Sequence, residues 1–197
     1  MQEVFYEETA STQNVKSANT RYYTIKTFSV ISYTVAVFWL IISVMFFPLE
    51  GNTLINIVFA AIPFVIFLGS GILLGKVKDR LYVDYDYTFI TGSIRFSKVI
   101  KNVKRKNIVV FDVKNIEKIG RYGSDTFNRY SAMSDKKRII LTSNVEPAED
   151  KAFYYMAVNA EGQRFFFILE CTELFLSHIL RFAGKLAFED DFFKKKD

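Results

Sequence analysis

The chain has 197 residues, half of them apolar, and a formal charge of +5. Its single cysteine, Cys171, excludes an internal disulfide framework and fits a reducing compartment. The basic excess lies from Lys76 onward, 23 Lys and Arg against 17 Asp and Glu, and is too diffuse to indicate nucleic acid.

Residues 1–26 carry Glu3, Glu7 and Glu8, with Val4-Phe5-Tyr6 as a candidate short juxtamembrane helix. Two charge-free runs come next, Phe28–Phe47 and Leu54–Gly75, of 20 and 22 residues. At about 1.5 Å of rise per residue each spans roughly 30 Å, the thickness of a bilayer's hydrocarbon core. A soluble core helix needs a wet face and rarely runs so far without a charge. The first run is also too long for a signal-peptide core, its leader is acidic, and no small-x-small site comes after it. Residues 27–76 therefore read as a transmembrane helical hairpin that turns at Pro48–Thr53.

Arg21 and Lys26 precede the first span, Lys76, Lys78 and Arg80 come after the second, and the turn has no Lys or Arg. The positive-inside rule then places both termini in the cytoplasm, with the chain a multi-pass protein of the cell membrane. Pro63 should kink the second span, and Gly71 and Gly75 form a small-xxx-small pair suited to helix packing, within the hairpin or against a partner. Neither span holds an Asp, Glu, Lys, Arg or His, which argues against a transport path.

From Leu81 the period changes to two. Leu81, Val83, Tyr85, Tyr87 and Phe89 alternate with Tyr82, Asp84, Asp86 and Thr88, the pattern of a strand with one wet face. Thr91-Gly92-Ser93 is a turn, and Ile94–Ile100 resumes the alternation. A basic loop comes next at Lys101–Asn107, then a third strand at Ile108–Val113 that Ile116–Gly120 extends after a kink. Arg121–Lys136 reads as a loop holding a short strand near Phe127–Tyr130. Further strands lie at Lys137–Thr142, Ala152–Asn159 and Gln163–Glu170. Short connections between six or seven strands predict an antiparallel sheet. Thr172–Leu186 is an amphipathic helix, with Leu174, Phe175, His178, Ile179, Phe182, Ala183 and Leu186 on the apolar stripe. Residues 189–197 form a charged tail, with Glu189-Asp190-Asp191 solvated and Phe192–Lys196 frayed or in basic-aromatic contact with lipid.

The fold class is thus α+β: an N-terminal transmembrane α-hairpin, then an antiparallel β-barrel or sandwich with a C-terminal helix. The stretch Tyr87–Phe96 and the run Ile108–Ile119 resemble the opening hairpin and third strand of bacterial membrane proteins that carry a cytoplasmic pleckstrin-homology-like (PH-like) domain. The resemblance covers about residues 27–186 and implies a PH-like domain over 77–188. The opening Glu3-Val4-Phe5 also resembles a small uncharacterised family of two-span proteins from Gram-positive anaerobes. The resemblance supplies no catalytic residue. Eukaryotic relatives that bind phosphoinositides use basic residues at the loop joining the first two strands. Here Thr91-Gly92-Ser93 takes that place, and the basic cluster falls one loop later.

That cluster, Lys98, Lys101, Lys104, Arg105 and Lys106, is the candidate contact with anionic lipid headgroups or an acidic protein partner. The other chemistry is sparse. His178 is the only histidine and reads as a hydrogen-bonded core residue. Cys171 lies seven positions from it on one helix, roughly 10 Å away, too far for proton transfer. Asp84 and Asp86 read as solvated strand charges. No phosphate loop, nucleophile elbow or metal-ligand spacing is present, and no cofactor is implied. These residues point to a non-catalytic, membrane-anchored binding or scaffold module, or else to an accessory subunit of a larger envelope or transport complex.

Overall fold

The computed structural model describes residues 3–46, 53–133, 135–160, 162–189 and 192. The expected turn over 48–52 and the terminal Phe193-Lys194-Lys195-Lys196 lie outside these. The chain forms two compact units, one of residues Asn14–Tyr82 and one that joins the segment up to Gln13 with the chain from Val83 onward.

The first unit is a pair of helices, α1 (Val15–Phe46) and α2 (Thr53–Lys78). α1 begins thirteen residues before its apolar run. Asn14 accepts a hydrogen bond from Ser17 N at 3.0 Å, and residues 15–46 contain no Gly or Pro to interrupt the helix. Ser29, Ala36 and Ser43, one heptad apart, are the buried positions of α1's apolar stretch. Such small residues let two helices approach closely. Ser29 Oγ donates across to Gly71 O at 2.8 Å, and the Trp39 indole donates to Ala60 O at 3.2 Å. Gly71 lies beneath the Tyr33 ring, where an added Cβ would come within 2.9 Å. The helix continues through Pro63. Both helices are long and apolar enough to cross a membrane, and most of their large side chains, from Phe28 to Phe46 and from Leu54 to Val77, are exposed.

Among the described residues, the second unit holds eight strands in two four-stranded sheets. Sheet A has the order β1-β2-β3-β4, from β1 (Phe5–Ala10), β2 (Val83–Ile90), β3 (Ser93–Ile100) and β4 (Lys104–Asp112). Sheet B has the order β5-β7-β8-β6, from β5 (Ile116–Arg121), β6 (Lys136–Ile140), β7 (Ala152–Ala160) and β8 (Gln163–Cys171). Their inner faces share one core that includes Tyr87, Phe89, Phe96, Phe111, Met156 and Phe167. Two sheets meet rather than one barrel closing.

Several sequence expectations give way here. Val4-Phe5-Tyr6 begins a strand, not a helix: β1 pairs antiparallel with β2 from Phe5↔Ile90 to Ala10↔Tyr85. Alternation of Tyr6, Glu8 and Ala10 on the inner face with Phe5, Glu7 and Thr9 on the outer carries that signal, in a stretch too short and polar to announce itself. Ile116–Gly120 does not extend the third strand. A 3-10 turn at Val113–Asn115 sends the chain into the other sheet. Phe127–Tyr130 is helical, within α3 (Asp125–Ser131), because Ser124 caps it by accepting from Phe127 N at 3.0 Å. That helix lays Phe127 and Tyr130 over Tyr155 and Phe166 on the outer face of sheet B. The long crossover through α3 brings β6 beside β8 in parallel, so the sheets are not all antiparallel.

α4 (Glu173–Ala183) closes one end of the core. Thr172 caps it, and Phe175, Leu176 and Ile179 are buried. Gly184, at φ +76°, ends the helix before Leu186, which is 93% exposed rather than part of the stripe. Glu189 is buried, not solvated. Its carboxylate accepts from Ser124 Oγ at 2.6 Å, Tyr155 OH at 2.8 Å and Arg121 N at 3.3 Å. It occupies the space over Gly120, where an added Cβ would fall 2.1 Å from it. Phe192 packs on Phe188.

Glu8 fastens β1 to the rest of this unit. It accepts from Thr172 N and Thr172 Oγ1 at 2.9 and 2.8 Å and pairs with Lys151 Nζ at 3.2 Å. Glu8→Ala leaves Lys151 without its carboxylate and the α4 cap without its brace. We expect a loss of about 3 kcal/mol in urea unfolding of the full-length protein in detergent, with Glu8→Gln losing less.

Candidate functional site

β3 and β4 turn through Lys101, Asn102 and Val103. Lys101 and Asn102 have φ of +50° and +56°, and Val103 N closes the turn on Ile100 O at 3.1 Å. Strand pairing resumes at once with Ile100↔Lys104. The basic segment expected as a loop is therefore mostly strand, and the strand period sorts its side chains onto two faces.

The inner face receives three lysines. Tyr85 stands opposite Lys98, and Lys98 stands opposite Lys106. Tyr87, Phe96 and Val109, which belong to or pack on the core, lie further along the same face. Lys104 is next on that face, opposite Ile100. Among the described residues none of these three lysines has an acidic partner. Burial pushes the Tyr85 phenol above its ordinary range.

The outer face receives Arg105. Its guanidinium lies 2.6 Å from Asp86 Oδ2, as an ion pair without hydrogen-bond alignment, and donates to Glu7 Oε1 at 3.0 Å. Asp84 and Asp86, expected as wet strand charges, are buried. β1 and the residues just after it supply their partners: Thr9 Oγ1 donates to Asp86 at 2.7 Å, and Thr12 N donates to Asp84 at 2.7 Å. A strand invisible to the local pattern thus turned a solvated face into a polar, buried one. Arg105 belongs to this internal network, while Lys98, Lys104 and Lys106 remain together on the other face. Lys101, at the turn, is engaged in an interaction of its own.

The remaining candidates settle into structural roles. His178 is not hydrogen-bonded at Nδ1, which is buried, and packs against Tyr6 in a tilted arrangement at 4.9 Å between ring centroids. Cys171 ends β8 in the core, where burial pushes its thiol well above the ordinary range and disfavours the nucleophilic thiolate. Glu170, expected only as a strand end, is the carboxylate that organises the β6–β7 connection. It accepts from Thr142 Oγ1, Asn144 Nδ2 and Ala148 N. Asn144 in turn donates to Ser11 O and accepts from Gln13 N. Among the described residues no group of three or more His, Cys, Asp or Glu gathers as a metal site.

A family model described as "Bacterial PH-like domain (DUF6106)" matches residues 3–189. The chain belongs to this family. The match runs from before β1, through both apolar helices, to Glu189, so the DUF6106 unit includes the first strand and the helices set between it and β2. No curated protein and no solved structure matches the chain. The DUF6106 fold also moves one comparison. Counted from β1, the connection between the first two strands is the helical pair itself, and Thr91-Gly92-Ser93 joins the second to the third.

Two outcomes test this DUF6106 site. Arg105→Gln leaves the buried Asp86 carboxylate without its cation, held by Thr9 Oγ1, and should cost about 2–3 kcal/mol, whereas Lys104→Gln should stay within about 0.5 kcal/mol, both read as urea midpoints. The raised thiol of Cys171 and phenols of Tyr87 and Tyr155 mean that the native state keeps protons the unfolded chain releases. Burial is the main cause at each, and for Tyr155 the hydrogen bond to Glu189 adds to it. Stability should therefore fall as pH rises through about 9 and 10, the ordinary thiol and phenol values, in circular-dichroism melts.

Proposed function

We propose that this protein is a membrane-anchored, non-catalytic module whose PH-like unit serves on the cytoplasmic face as a binding or scaffold surface. One observation carries the reading. The strand before the apolar helices and the strand after them are neighbours in one sheet, so the chain must leave that sheet and return to the same side. Two spans do this, and one or three do not. The apolar surface of both helices, exposed almost all round, supports lipid as what surrounds them. Arg21, Lys26, Lys76, Lys78 and Arg80, at the helix ends that lead to β1 and β2, support a cytoplasmic placement. The inner-face lysines are the surface offered to an anionic headgroup or an acidic partner. The absence of converging acid, base and nucleophile among the described residues supports a non-catalytic role.

Exposed helices of this kind also suit an accessory subunit, with Pro63, Gly71 and Gly75 against partner helices. Gly71 and Gly75, however, lie close to Tyr33 and Ser29 of α1, which favours packing within the hairpin.

Membrane flotation tests the anchor. The protein should rise with lipid after a high-salt wash at neutral pH, below the range in which the β unit is expected to lose stability. Exogenous protease applied to intact cells should leave both termini uncut. Recovery in the soluble fraction, or cleavage of a terminal tag from outside, would overturn the reading.

A further inference from the structure

The two sheets have four edge strands, β1, β4, β5 and β6, and an uncovered edge offers a row of unpaired backbone N–H and C=O groups. The chain protects three of these edges. The segment after α4 lies along β5, where Glu189 N donates to Ile119 O at 2.9 Å and Phe188 bridges Ile119 in parallel. Lys151 Nζ donates to Thr9 O on β1 at 2.6 Å. The pairing of β4 is bulged opposite Phe96 and Ser97, and a bulge blunts an edge by twisting it away. β6 has neither cover nor bulge. It pairs with β8 in unbroken parallel register from Lys136↔Arg164 to Ile140↔Ile168, and among the described residues no strand lies on its other side.

Leu141 N donates to Ile168 O at 2.9 Å. Backbone groups alternate along a strand, so those of Ile139 and Lys137 also turn to β8, and those of Arg138 and Ile140 turn to the open edge. Lys137, Arg138 and Ile140 are exposed, Ile140 at 52%. The neighbouring carboxylates are committed elsewhere. Asp135 lies 2.8 Å from Arg164, and Glu117 lies 3.4 Å from Arg164 and 3.5 Å from Lys136. The Lys136 side chain is itself buried, with Nζ over the Tyr130 ring. Among the described residues Lys137 and Arg138 have no acidic partner. Lys137 also lines an open cleft of about 640 Å³ with Asn159, Gln163 and Arg164, so its ammonium is accessible from outside.

Cations on an edge repel a second copy of the same edge and attract a strand of opposite sign. We infer that β6 is a docking edge for an extended acidic segment of a partner protein, which adds to sheet B as a further strand. The free N–H and C=O groups of Arg138 and Ile140 supply the main-chain hydrogen bonds. Carboxylates opposite Lys137 and Arg138, and apolar side chains opposite Ile139 and Ile140, complete the pairing. This edge is separate from the inner-face lysines of β3 and β4, and its occupant does not depend on the anchored reading above.

The test uses the full-length protein in detergent and a capped, dye-labelled peptide carrying Glu-Glu-Val-Val-Glu-Glu, which presents the same side-chain order in either strand direction. Fluorescence anisotropy should show saturable binding, and the peptide with Lys in place of every Glu should not bind. Lys137→Glu with Arg138→Glu should weaken the acidic peptide by about 10-fold. The same variant should gain binding of the lysine peptide, a reciprocal change that an unfolded protein would not show. N-methylation of alternate peptide residues separates strand addition from attraction by charge. Of the two alternating patterns, the one that blocks the amides facing β6 should abolish binding, and the other should retain it.

Equal binding of the two N-methylated peptides would overturn strand addition. Indifference of the acidic peptide to the double substitution would overturn the assignment to β6. Absence of binding to the wild-type protein would overturn the inference outright while leaving the flotation result, and with it the anchored reading, untouched.

Discussion

The ladder between β1 and β2 constrains everything else in this chain. Its two strands are consecutive in the sheet but lie on either side of the apolar helices. A β-unit that takes its first strand from before the helices cannot finish its sheet until the helices have been made and β2 has emerged. The same pairing requires whatever separates the strands to begin and end at one place. An insert of two antiparallel helices meets that condition.

Buried carboxylates hold this arrangement together. Glu8 joins β1 to the cap of α4, and Asp84 and Asp86 join β2 to residues just after and within β1. Glu170 gathers the β6–β7 connection, and Glu189 seats the segment after α4 on β5. Each links stretches distant in sequence and is satisfied by backbone amides, hydroxyls or a cation. A buried carboxylate with one partner removed is costly, whereas a fully satisfied one confers a unique geometry. Sheets whose connections run between layers, as through α3 and the 3-10 turn at Val113–Asn115, need such ties because local propensity does not define the register. Against that background the uncompensated lysines of β3 and β4 stand apart.

The family match and the sequence meet at the PH-like unit, and the strongly periodic elements were legible without coordinates. The two apolar runs, β2, β3, β7, β8 and the helix after Thr172 all announce themselves by period and length. What escaped was weak or ambiguous in period. β1 carries three glutamate or threonine residues on its outer and inner faces and looks like a polar leader. Phe127 and Tyr130 fit either a strand or one turn of helix, and only the Ser124 cap on Phe127 N decides between them. The lysine cluster was legible as composition. Its division into Arg105 on one face and Lys98, Lys104 and Lys106 on the other needed the register, because one residue of displacement exchanges the faces.

By itself the sequence determined that this chain has two apolar helices, a β-rich unit after them and one amphipathic helix near its end. These arise from interactions within a few residues, the hydrophobic period and the absence of charge. Only the tertiary structure decided that β1 belongs to the later unit, that β6 runs parallel to β8, and that Asp84, Asp86 and Glu189 are buried. Each of those depends on a partner far along the chain. A carboxylate's surroundings are set by what packs over it, and no local pattern records what that will be.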